Sequence, residues 1–135
     1  MSPRFPDPTL AQNDCRLLVD IGFLAAGLGD VEAADCIFAG VRAADATGVA
    51  TLIGPALARM NAGRAADAVA LLSIAGTSDD ASVDAWRAVA LHLAGRRHEA
   101  RRLARDVSSG SGAAARMARA LCSATAPVAA GKEAA

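Results

Sequence analysis

Large rings are scarce in this chain. Its 135 residues hold three Phe, one Trp and no Tyr. β-branched residues are also few, which argues against a sheet. Neither sign of charge prevails: 14 basic residues balance 14 acidic ones. A general nucleic-acid surface, which needs a basic face, is thereby disfavoured. The cysteines are only Cys15, Cys36 and Cys122, an odd number with no Cys-x-x-Cys or metal-ligand spacing. They form no disulfide framework and fit a reducing compartment. No apolar run approaches membrane-spanning length. The segment from Met1 to Pro8 lacks the apolar stretch of a signal peptide, so no Sec-type export is expected.

Signatures of chemistry are missing as well. His92 and His98 lie six residues apart on either side of Gly95, with no carboxylate–histidine pattern around them. Their expected place is solvent or a groove edge. The stretch from Ser108 to Gly112 is Gly-rich but has no following Lys-Ser/Thr, so it is no phosphate-binding loop. No catalytic residue, metal site or cofactor is expected. An enzyme would need a perturbed Cys or His in a pocket, for which no local pattern speaks.

Alanine is what the chain has in abundance, 36 residues, and a core of such small side chains suits helices packed closely on helices. The alanines are also ordered. Gly29, Gly63 and Gly95 recur at intervals of 34 and 32 residues, each followed five residues later by Ala34, Ala68 or Ala100. A small residue precedes each glycine by seven: Gly22, Ala56 and Ala88. A period near 34 with a small–turn–small pattern marks a tetratricopeptide-like helical-hairpin repeat. In this reading the glycine ends the first helix in a left-handed cap. Asp30 caps the next helix, and the small residues lie where the two helices approach.

The expected fold is therefore all-α: three tetratricopeptide-like hairpins plus a C-terminal capping helix. Helices are placed at 10–28, 31–44, 49–62, 64–75, 81–94, 96–108 and 113–124. Breaks fall at Gly48, Gly76 to Ser78 and Ser108 to Gly112. Residues 1–8 read as a flexible arm, 9–124 as one α-solenoid domain and 125–135 as a disordered tail. In the first hairpin, Leu18, Ile21 and Ala25 are assigned to the inner face, against Ala34, Ile37, Phe38 and Val41.

First helices of stacked hairpins line a concave surface. Their outward positions are Val19, Phe23 and Ala26, then Ile53, Leu57 and Met60, then Ala85 or Trp86, Val89 and His92. In a free monomer these positions would be polar, so an apolar stripe there marks a partner site, a groove for an amphipathic helix. The alternative is that they are core. Arg97, Arg101 and Arg105 form a basic stripe, either a solvated outer face or a dock for an acidic partner.

Several segments carry a resemblance: Cys36-Ile37, Leu52-Ile53, Met60-Asn61-Ala62-Gly63, the single Trp86, and Leu93-Ala94-Gly95 with Ala100. Over about residues 15–123 the chain resembles the YscG/PscG family, tetratricopeptide-like chaperones of bacterial type III secretion systems. The resemblance implies a role in the bacterial cytoplasm. The protein would hold the needle subunit's amphipathic helix, together with a small helical co-chaperone, and so prevent premature polymerisation. It implies no cofactor, no nucleic acid and no membrane insertion. The client groove would be Val19, Phe23, Ile53, Leu57, Met60, Trp86 and Val89, and the co-chaperone would dock near Leu17, Leu18, Phe38 and Val41. The chain departs from generic repeats of this kind in having Ala25 and Arg59 where the first helix carries an aromatic, and in lacking the Pro that ends the repeat. Two rival readings remain: a chaperone of the translocator proteins, which bind as extended peptides, and a structural scaffold of the secretion apparatus.

Overall fold

The computed structural model describes residues 8–44, 48–74 and 80–126, with side chains in the first helix from Gln12 onward. Of the arm expected at 1–8 and the tail expected at 125–135, residues 1–7 and 127–135 lie outside the described residues, as does the break at 76–78, whereas Pro8 and Thr125 are helical. Among the described residues seven helices follow one another: α1 (Pro8–Gly27), α2 (Val31–Ala43), α3 (Ala50–Asn61), α4 (Ala65–Ile74), α5 (Ala81–Leu93), α6 (Arg97–Ser108) and α7 (Gly112–Thr125). No strand occurs among the described residues. No helix among them is long and apolar enough to cross a membrane.

Three of the six connections are built alike. Gly29, Gly63 and Gly95 adopt φ of 70°, 77° and 84°, the left-handed region open to glycine. After each, the next amide reaches back five residues. Asp30 donates to the Ala25 carbonyl at 3.0 Å, Arg64 to Arg59 at 2.7 Å and Arg96 to Leu91 at 2.9 Å. This closure takes up a carbonyl that the helix end would leave unpaired. Asp30 then accepts from the Ala33 amide at 3.0 Å and starts α2. The glycine spacing thus marks α1–α2, α3–α4 and α5–α6 as hairpins.

Successive helices pack on each other, and the odd-numbered helices α1, α3, α5 and α7 also pack in sequence, α3 against α5 most thinly. The even-numbered helices make no such contacts with one another. The stack therefore has a closed side, where odd helices meet, and a split side, where even helices stand apart.

α1 settles differently from the expected arrangement. Its inner face is Val19, Gly22, Phe23 and Ala26, which meet Ala34, Phe38 and Ala58. Leu18 and Ile21, assigned to the inner face from spacing, are exposed, and Ala25 is half-buried. From Leu17 onward α1 is apolar on every face but for Asp20, so helical periodicity did not choose between its faces. The choice falls to Phe38. A Cβ on Gly22 would stand 2.8 Å from the Phe38 ring, and one on Gly54 of α3 only 2.1 Å from it. The ring occupies a slot between two bare backbones, with the Phe23 ring edge-on at 5.3 Å.

α3 carries a proline in its interior, Pro55. Pro55 has no amide to offer the Thr51 carbonyl, and its ring presses that carbonyl outward. The Arg42 guanidinium of α2 donates to the Thr51 oxygen instead, at 3.1 Å. Next to it, Arg59 of α3 holds Asp35 of α2 through two bonds of 2.8 and 2.9 Å. This carboxylate pairing and hydrogen bond raise the Arg59 pKa above its usual value. Arg42 thus answers the missing backbone bond, and with Arg59 it clamps α2 to α3.

Candidate functional site

The residues expected to line a client groove separate into two groups. Ile53 and Met60 are buried. Met60 is a member of the central core with Val69, Leu72, Val83 and Leu91. Neither presents a side chain to a partner in the free chain, a correction to the groove expected from α3. The reason is packing from two sides: α3 touches α1, α2, α4 and α5, so most of its surface is covered. Ala85 is likewise core, among the alanines between α5, α6 and α7.

Val19, Phe23, Leu57, Trp86 and Val89 are half-buried. Val19 and Phe23 pack on the α1–α3 cluster, Trp86 and Val89 on the central cluster, and Leu57 on both. Leu57 therefore links the α1 pair to the α5 pair through its packing on both clusters. His92 on α5 is half-buried too, and its Nδ1 is buried with no hydrogen-bond partner.

The residues assigned to a co-chaperone also divide. Leu17 and Leu18 are exposed on α1. Phe38 is 1% exposed and Val41 is fully buried, so both belong to the core rather than to a surface. The slot described above is the cause, since it draws the whole Phe38 ring inside. Ile21 and Leu24, two further exposed apolar residues on α1, share a face with Leu17, and the exposed Leu28 follows in the turn at its end. Their spacing of four, three and four residues from Leu17 is a signal the sequence held and the inner-face assignment hid.

The split side of the stack is polar. A cleft of about 280 Å³ opens between α4, α5 and α6, floored by Val69, Leu91 and Leu103. Two of its arginines are paired: Arg87 with Asp84 at 3.1 Å, and Arg96 with Glu99 through bonds of 2.8 and 2.6 Å. Hydrogen bonding to Arg96 holds the Glu99 carboxyl below its ordinary pKa, and the reciprocal bond raises that of Arg96. A second cleft, about 180 Å³, lies over the Arg42–Thr51 and Asp35–Arg59 contacts. Within the basic stripe, Arg97 and Arg105 are exposed, whereas Arg101 donates to the Thr125 carbonyl at the end of α7. Arg101 is therefore used in fastening the last helix. Among the described residues no group of three His, Cys, Asp or Glu side chains could hold a metal ion.

No family model, curated protein or solved structure matches the chain.

Proposed function

We propose that the chain is a tetratricopeptide-like binding protein, three hairpins and a capping helix, that holds an amphipathic helix by burying its apolar face. The observation that carries this reading is the apolar row Phe23, Leu57, Trp86 and Val89, which spans three helices and keeps part of each side chain open to solvent. A solvated face of that length would otherwise be polar. A Trp within it suits a binding hot spot, and an amphipathic helix supplies matching apolar positions at three- and four-residue spacing.

The resemblance of the Leu52-Ile53, Met60 to Gly63 and Trp86 segments names the client. We take it to be the needle subunit of a type III secretion system, held in the bacterial cytoplasm with a small helical co-chaperone. Covering the helix through which that subunit polymerises lowers its free concentration and so delays assembly. The co-chaperone would dock on the exposed part of α1, at Leu17 and Leu18.

The test is co-expression with needle-subunit and co-chaperone candidates from the same gene cluster, followed by size-exclusion chromatography with light scattering. A stoichiometric complex is expected, weakened at least tenfold by Trp86→Ala, a change of about 1.4 kcal/mol or more in binding. Met60 is unsuitable for this test because it is core. A folded chain that ignores the needle subunit, or a complex indifferent to Trp86→Ala and Leu57→Ala alike, would overturn the reading.

A further inference from the structure

Charge balances over the whole chain but not along it. Between Pro8 and Gly95 stand five arginines and ten acidic residues, and between Arg96 and Ala126 seven arginines and two acidic residues. Lys132 and Glu133, which follow, lie outside the described residues and cancel. The two acids, Glu99 and Asp106, both line the α4–α6 cleft, and Glu99 is bonded to Arg96. α7 has no acid. Next to the adjoining α5, Asp80 accepts from the Ser82 amide at 2.8 Å, and within it Asp84 pairs with Arg87. Among the described residues no ion pair takes up Arg97, Arg101, Arg105, Arg116 or Arg119.

These five guanidinium groups border one seam. Arg101 of α6 reaches across to the Thr125 carbonyl of α7, and Arg119 of α7 reaches back to the Ser108 carbonyl of α6 at 3.0 Å. Arg97 and Arg105, four residues either side of Arg101, continue its stripe. With Arg116 and Arg119 they are exposed. Two of the five are thus held in place by main-chain carbonyls, and the others extend into water. Like charges four residues apart repel one another and weaken a helix, and nothing within α6 relieves this stripe. The other exposed residues of α7 from Ala113 onward are Ala120, Ser123 and Ala124. The seam therefore offers neither a large apolar side chain nor an aromatic ring.

We infer that this seam docks an acidic helix of a partner protein, one that carries carboxylates at four-residue spacing. From Arg97 to Arg105 the stripe runs about 12 Å, which sets successive arginines about 6 Å apart. A helix lying along the α6–α7 groove repeats its own side chains at that interval and can set a carboxylate on each guanidinium fork. The uniform sign supplies the selection, since a basic face attracts acidic partners and turns away basic ones. Other polyanions fit less well. A nucleic-acid strand would find no ring to stack on, and a membrane surface no apolar side chain to take up. Both also extend past the seam towards the acidic remainder of the chain, which repels them. The face is stable in water by itself, so the complex is reversible and weakens with salt. This inference goes beyond the proposed function, whose apolar row and α1 contact it leaves untouched. Trp86 and Leu57 decide that reading, Arg97 and Arg105 this one, so each can fail alone.

The experiment is fluorescence anisotropy of the purified full chain with a labelled helical peptide that carries Glu at every fourth position. Binding is expected at about 20 mM salt and should weaken about tenfold or more at about 150 mM, where charges are screened within ~8 Å. The same peptide with Gln for Glu should not bind. Arg97→Gln combined with Arg105→Gln spares the contacts to Thr125 and Ser108 and should weaken binding about tenfold or more. Its far-UV circular dichroism should match the parent, because both side chains are exposed. Arg64→Gln, an exposed arginine of α4 paired with Asp67, should leave the affinity unchanged. Single-stranded DNA and anionic lipid vesicles are run beside the peptide and should bind more weakly. No binding of the Glu peptide at low salt, binding that survives the double substitution, or DNA or vesicles held as tightly through the same two arginines would overturn the inference.

Discussion

The two ends of the stack solve the same packing problem with opposite materials. At the α7 end the buried residues are Ala85, Ala88, Ala104, Ala118 and Val107, and helices approach closely with almost nothing between them. The outer surface there is arginine, serine and alanine. At the α1 end one large ring, Phe38, is held in a slot between Gly22 and Gly54, and the outer surface is leucine and isoleucine. An alanine interface spreads its stabilisation over many small contacts and leaves a finished surface. A ring in a glycine slot concentrates it in one side chain. The first end needs nothing further, whereas the second has apolar surface left to cover.

The largest expected effect separates the two ends directly. Phe38→Ala should cost about 3–5 kcal/mol of folding stability, because the slot is walled by backbone and collapses poorly. The greatest truncation among the buried residues of the α7-end cluster, Val107→Ala, removes two methyl groups and should cost about 2 kcal/mol. Urea denaturation of both variants measures the gap. Equal losses would mean that the ring is not the keystone of the α1 end.

A smaller effect concerns the clamp between α2 and α3. Arg42→Met leaves the Thr51 carbonyl without its donor and should cost about 1–3 kcal/mol. Pro55→Ala restores an amide that can take that carbonyl. In the Pro55→Ala background the same Arg42→Met change should therefore cost markedly less. A double-mutant cycle with no coupling would show that the arginine does not stand in for the missing backbone bond.

The smallest effect compares the turns. Gly29 and Gly95 both hold positive φ, so alanine at either should cost about 1–2 kcal/mol. A Cβ at Gly95 meets open space, while one at Gly29 meets the Asn61 backbone at 3.1 Å. The same Asn61 donates its side-chain amide to the Ala26 carbonyl at 2.9 Å, seating the end of α1 on the α3–α4 turn. Gly29→Ala should lower the thermal midpoint more than Gly95→Ala does. Identical shifts would mean that the first turn is no more tightly docked than the last.

The helices and their turns were legible because their causes are local. Expected and observed helix limits differ by at most two residues, and Asp30 caps as its position suggests. The candidate site was legible only in part. Leu57, Trp86 and Val89 keep partly open surfaces, but Ile53, Met60, Phe38 and Val41 are core. Whether an apolar residue faces a partner or a neighbouring helix depends on how many helices surround its own, and α3 is flanked by four. The Gly54-Pro55 pair is visible in the chain, yet its use is not. Only packing shows that the glycine admits Phe38 and that the proline is answered by Arg42.

The sequence by itself determined the all-helical character, the three glycine turns and the cap that starts α2. Those depend on backbone dihedrals and on hydrogen bonds spanning at most five residues. Tertiary structure alone decided which face of α1 turned inward, since that helix offers apolar side chains on both. The deciding contact joins Phe38 to Gly22 and Gly54, residues 16 positions away on either side. A choice between two equally apolar faces rests on shape, and shape exists only once the helices have met.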